Sequence, residues 1–176
     1  IQARFPDPEP TLAYNIHARR GDVRVEMTAL AAALTPGGIS EDLEGDDPVA
    51  AFIRLRFTNT GAAPCEIAFP LAYAQDGGRG PGGKGLPRDA RGTLVPRAPL
   101  DPVAIEDDAI CSVVEDRTVL RAVVDTAMTV LADGDSVVLR AALPPEGAID
   151  AVLKIPYVTP SEAELDILRG VTFDAA

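Results

Sequence analysis

Residues 49–58 read Val49-Ala50-Ala51-Phe52-Ile53-Arg54-Leu55-Arg56-Phe57-Thr58, and this stretch decides the fold. Val49, Ala51, Ile53, Leu55 and Phe57 fall on one side of a pleated chain; Arg54, Arg56 and Thr58 fall on the other. A period of two over this length predicts a half-buried β-strand. Phe52 interrupts the polar side, so that side is expected to be partly covered. Asn59-Thr60-Gly61 then reads as a turn. Past it, Cys65, Ile67, Phe69, Leu71 and Tyr73 alternate again.

The same period runs outward in both directions. Upstream, Leu12, Tyr14, Ile16 and Ala18 alternate with polar neighbours, Arg20-Gly21-Asp22 turns the chain, and Val23, Val25, Met27 and Ala29 resume. Two strands around a tight Gly-containing turn predict a hairpin. Residues 29–34 are apolar throughout and fit either a strand or a helix, since alanine favours helix. Downstream, strands are expected over 110–114, over 118–124 and 126–131 as one long or two bent elements, over 137–143 and over 149–158. Asp133-Gly134-Asp135 and Pro144-Pro145-Glu146-Gly147 separate the last of these. Many short strands with regular turn signals predict an all-β fold, a two-sheet antiparallel β-sandwich.

One helix is marked. Ser161-Glu162-Ala163-Glu164 is a capping box, Leu165 and Leu168 share a face, and Arg169 with Gly170 suits a helix C-terminus. The expected organisation is therefore a β-sandwich over residues 1–160, and a C-terminal helix with the start of a linker over 161–176. Residues 75–102 interrupt the strands with seven glycines and five prolines, a length of loop usually functional or mobile. Thr93-Leu94-Val95 is a candidate short edge strand within it.

Composition bounds the function. The chain has 176 residues and 47% apolar content, enough to bury a core without a disulfide or metal. The net charge is −11, which opposes nucleic-acid phosphates and anionic lipid, and no basic cluster is present. The longest apolar run, residues 29–34, is far short of the roughly 20 residues a spanning helix needs. Cys65 and Cys111 both lie in apolar strand patterns and read as small buried side chains, although one disulfide is open to them. The start, Ile1-Gln2-Ala3-Arg4, reads as a cut end, left either by removal of a leader or by excision from a longer chain.

Candidate chemistry is sparse. His17 is the only histidine, so any Ser-His-Asp or Cys-His site must use it, yet it sits in mid-strand. One histidine and the cysteine spacing exclude the usual zinc sets. Gly78-Arg79-Gly80-Pro81-Gly82-Gly83 matches dinucleotide and P-loop patterns by letter, but Leu86-Pro87 follows where a helix is required. Arg20-Gly21-Asp22 is explained by its turn. Two acidic clusters, Glu41 to Asp47 and Glu106-Asp107-Asp108, lack the spacing of a calcium loop and read as solvated. No Trp occurs, and Tyr14 and Tyr73 fall on apolar strand faces, which argues against a sugar-stacking platform. No catalytic, cofactor-binding or metal-ligating residue is assigned.

Two stretches together carry a resemblance. The first runs from Phe52-Ile53-Arg54-Leu55-Arg56-Phe57 through the Asn59-Thr60-Gly61 turn to the strand after Pro64. The second runs from Leu131-Ala132-Asp133-Gly134-Asp135 through Leu153-Lys154-Ile155-Pro156-Tyr157 and the capped helix to Val171-Thr172-Phe173-Asp174. Their order resembles the N-terminal β-sandwich accessory domains that precede helical (α/α)-barrel catalytic domains in bacterial glycoside hydrolases. The resemblance implies a non-catalytic domain of a larger carbohydrate-active protein, which packs on or positions a catalytic domain whose acids lie elsewhere. The terminal helix would begin the linker. An independent glycan- or protein-binding module is the alternative. The expected partners are an adjacent catalytic domain or another protein, with carbohydrate possible. The accessory reading predicts an exposed apolar patch around Leu165, Leu168, Val171 or Phe173; the module reading predicts a concave face with exposed Tyr; an enzyme would place His17 in a pocket.

Overall fold

A computed structural model describes residues 3–4, 14–35, 38–40, 48–72, 102–114, 117–134 and 136–175. The deciding stretch forms strand β5 (Val49–Asn59) near the centre of a large sheet. Four strands precede it: β1 (Ala3–Arg4), β2 (Tyr14–Arg20), β3 (Val23–Thr35) and β4 (Gly38–Ser40). Seven follow: β6 (Cys65–Ala72), β7 (Val103–Glu106), β8 (Ala109–Val114), β9 (Arg117–Thr126), β10 (Thr129–Asp133), β11 (Ser136–Leu143) and β12 (Ala148–Pro156). Helix α1 (Glu162–Gly170) and a 3₁₀ turn (Phe173–Ala175) complete the described chain.

The strands form two antiparallel sheets. Nine make a sheet of order β1-β2-β3-β5-β12-β9-β8-β7 with β4 beside β3; three make a sheet of order β10-β11-β6. The β2–β3 hairpin forms as its pattern predicts, with Arg20 opposite Val23 and Gly21 at φ 60°. Residues 118–131 form two strands in different sheets. The chain crosses between them at Ala127 and Met128, where Thr126 Oγ1 donates to the Asp150 carbonyl at 2.8 Å and accepts from the Met128 amide at 3.1 Å.

Residues 29–34 are strand, not helix. Leu30 to Ala33 pair with residues 49–52 of β5. Ala32, Ala33 and Leu34 are all buried. From Ala32 to Leu34 successive side chains on opposite faces are buried, so both faces are covered there and alternation is lost, while Ala31 is exposed; cross-strand pairing outweighs alanine's helical preference.

The main core lies between the sheets. Leu55, Phe57 and Leu153 of the large sheet meet Ile67, Val137 and Leu139 of the small one. Phe57 and Phe69 pack edge to face, with ring centroids 5.1 Å apart. Asn59 fastens one end of the stack. It is fully buried, and its Nδ2 donates to the carbonyls of Ala63 at 2.8 Å and Pro144 at 3.0 Å while its Oδ1 accepts from the Gly61 amide at 2.9 Å. The predicted Asn59-Thr60-Gly61 turn is thus also a tie between the β5–β6 and β11–β12 connections.

A second core covers the opposite face of the large sheet. Helix α1 lays Leu165 and Leu168 over Phe52, Ala32, Ala50 and Val123, and Val171 and Phe173 extend the contact. This is the cover that Phe52 announced. It also corrects one expectation: Leu165, Leu168, Val171 and Phe173 are not an exposed patch, and Leu168 is 0% exposed. An amphipathic helix and a sheet face interrupted by phenylalanine satisfy each other within the chain.

Candidate functional site

The sheets are unequal, and the site follows from that. On one side the stack is closed: β7 meets β10, and the Val103 amide donates to the Gly134 carbonyl at 3.0 Å. On the other side, among the described residues, the small sheet ends at β6, while the large sheet continues past β5 through β3 to β2. The inner face of β3 therefore carries apolar side chains beyond the reach of the small sheet. Val23, Val25 and Met27 are only half-buried there.

A groove of about 700 Å³ occupies this step. Its floor is Val23, Val25 and Met27 of β3 with Leu55 and Phe57 of β5. One wall is residues 66–70 of β6, and the end of β2, residues 18–20, forms the rim. A second hollow of about 390 Å³ continues it under β6, sharing Met27, Leu55, Phe69 and Pro70 and reaching Ile53 and Ile155. The lining is aliphatic with charge at the rim. Arg19 donates to the Gly21 carbonyl at 2.9 Å and lies 3.9 Å from Asp22. Such a surface can hold an apolar segment and orient it by charge.

His17 lies elsewhere. It is opposite Glu26 in the β2–β3 register, on the face away from Val25 and Met27. Its Nδ1 is 3.3 Å from Glu26 Oε1, and its side chain is 58% exposed. The same row continues across the sheet through Arg56 to Asp150, 3.3 Å apart. Arg20-Gly21-Asp22 is the hairpin turn, with the Asp22 carbonyl accepting from the Thr60 amide at 2.7 Å. Of the second acidic cluster, Asp107 and Asp108 form the β7–β8 turn, Asp107 at φ 53°. Asp108 takes Arg169 of α1 in a two-pronged pair, Nη2 to Oδ1 at 3.1 Å and Nε to Oδ2 at 3.2 Å. That pair holds the guanidinium above its ordinary value. The described residues contain no group of three or more His, Cys, Asp or Glu suited to a metal. Cys65 and Cys111 are free; Cys111 is buried and Cys65 half-buried. Glu41 to Asp47, the Gly/Pro stretch with Thr93-Leu94-Val95, Tyr73 and the side chain of Tyr14 lie outside the described residues.

The sequence reading did not single out Lys154. It is 1% exposed beneath α1, and its Nζ donates to the Arg169 carbonyl at 2.8 Å. Burial pushes its pKa down, and the charges of Asp125 and Asp108 pull it part of the way back. Together with Arg54, which lies 3.0 Å from Asp174 and 4.5 Å over the Phe173 ring, it fixes the helix end to the sheet. The signal was legible in Leu153-Lys154-Ile155, a lone cation in an apolar strand, and Lys154 pairs with Phe52 in the register.

No protein-family model matches the chain, and neither a curated protein nor a solved structure matches it.

Proposed function

We propose that the chain is a non-catalytic β-sandwich domain that works by contact with another polypeptide, packing on or positioning the catalytic domain of a larger carbohydrate-active protein. One observation carries the contact: the apolar step between the unequal sheets, floored by Val23, Val25 and Met27. An aliphatic groove of this size at the surface is the mark of an interaction site. The carbohydrate-active setting rests on the sequence resemblance alone.

The test is the reading frame on either side of the 176 residues, followed by hydrogen exchange. A neighbouring helical-barrel domain is expected, with the β3 amides more protected in the longer protein than in the isolated chain. A frame with no further domain, or equal protection, overturns the accessory reading. A second reading has its own observation: Tyr157 is 87% exposed and Val158 53% exposed, just after β12. An exposed tyrosine beside an apolar residue suits an independent glycan- or protein-binding module. Oligosaccharide binding that Tyr157→Ala abolishes would favour that reading.

A further inference from the structure

We infer that the partner enters the groove as an extended strand that pairs with the open edge of β6, supplied by a different protein and bearing a carboxylate near Arg20. The inference rests on the docking reading above and specifies what docks.

Three observations carry it. First, five consecutive residues of β6, 66 to 70, line the groove. Successive side chains of a strand point to opposite faces, so only the edge, with its backbone, can border one space along its whole length. Second, among the described residues β6 pairs with β11 alone, so its other row of amides and carbonyls has no sheet partner. Third, the floor beyond that edge is the inner face of β3, where a further strand of the small sheet would lie. A strand inserted there satisfies the backbone and places alternate side chains on Val23, Val25 and Met27. Pro70 has no amide hydrogen, so pairing extends from Cys65 to Phe69, and proline at that place is compatible with an edge.

Charge selects the source. At the groove end Arg20 stands opposite Val23 on the groove face and makes no ion pair among the described residues, while Glu66 lies on the β6 wall. A guanidinium without an acidic partner at the groove end favours an incoming Asp or Glu. Two copies of this chain each carry −11 and repel, which disfavours a second copy as donor.

The test uses the isotopically labelled full chain and a synthetic probe, acetyl-Asp-Val-Thr-Val-Thr-Val-Thr-amide. Expected results are slowed exchange of β6 amides, shifts of the Val23, Val25 and Met27 methyls, and at least tenfold weaker binding when alternate peptide amides are N-methylated. Arg20→Gln, an exposed change, should weaken the Asp-headed probe several-fold at low salt and leave its Asn-headed analogue unchanged. Equal binding of the N-methylated peptide, with the methyls still shifting, overturns strand pairing while leaving the docking reading intact. No methyl shift with any probe overturns the strand inference; the docking reading then stands or falls on exchange in the longer protein. Sedimentation that shows stable dimers at low salt, with the same methyls shifted, overturns the different-protein donor.

Discussion

Lys154 brings a charge under a helix, and the sheet accommodates it with one carbonyl and two distant carboxylates. Because burial lowers its pKa, the unfolded chain binds this proton more tightly than the folded one. Its contribution to stability is full above the ordinary lysine range and declines as pH falls through that range toward the folded value. Cys111 has the opposite sign: burial first, then the charge of Glu106, raises its pKa, so the folded thiol keeps a proton the unfolded one has lost. Its contribution falls as pH rises past the ordinary thiol range. In a Cys111→Ala background, urea unfolding from pH 7 to 10 should show less rise in stability for Lys154→Met than for the parent; an equal rise refutes the assignment. The two thiols themselves should separate under a thiol reagent in native buffer. Cys65 reacts first, and Cys111 reacts only on unfolding.

Helix α1 is held by its start, its face and its end. Ser161 Oγ accepts from the Glu164 amide at 3.4 Å, and the Glu164 carboxylate accepts from the Ser161 amide at 2.6 Å. Ser161→Ala should cost about 1 kcal/mol. Leu168→Ala empties a fully buried position and should cost about 2–5 kcal/mol. Chemical denaturation that ranks the two in the reverse order would mean the cap, not the face, anchors the helix. The capping box was legible because its partners are three residues apart. The strands were legible because the period of two needs no knowledge of neighbours. Residues 29–34 were not, since the run is apolar throughout and its end, Ala32 to Leu34, is covered on both faces. Where α1 would dock was half-legible: Phe52 showed that something covers the face, but nothing local said that the cover comes from more than a hundred residues later. The groove was not legible at all, because it depends on how many strands each sheet receives.

At the scale of the fold, nine strands against three among the described residues leave one side of the stack closed and the other open. Sequence period assigns faces, not partners, so this asymmetry arises from pairings such as Cys65 with Leu143 that no window contains. The two halves of the large sheet are joined late. Strand β12 lies between β5 and β9 and pairs with both, Ala50 opposite Pro156 and Thr126 opposite Ala151. A chain ending at residue 147 should therefore lack native near-ultraviolet circular dichroism and be cut rapidly by protease; a native-like spectrum would show that β5 and β9 need no intervening strand.

The same placement governs birth on the ribosome. Until residues 148–156 have emerged, β5 and β9 each present an unpaired flank to the cytosol or to a neighbouring nascent chain. Translation speed over the codons leading into β12 then sets how long those flanks stay open, so a pause there invites chaperone capture or clumping on polysomes.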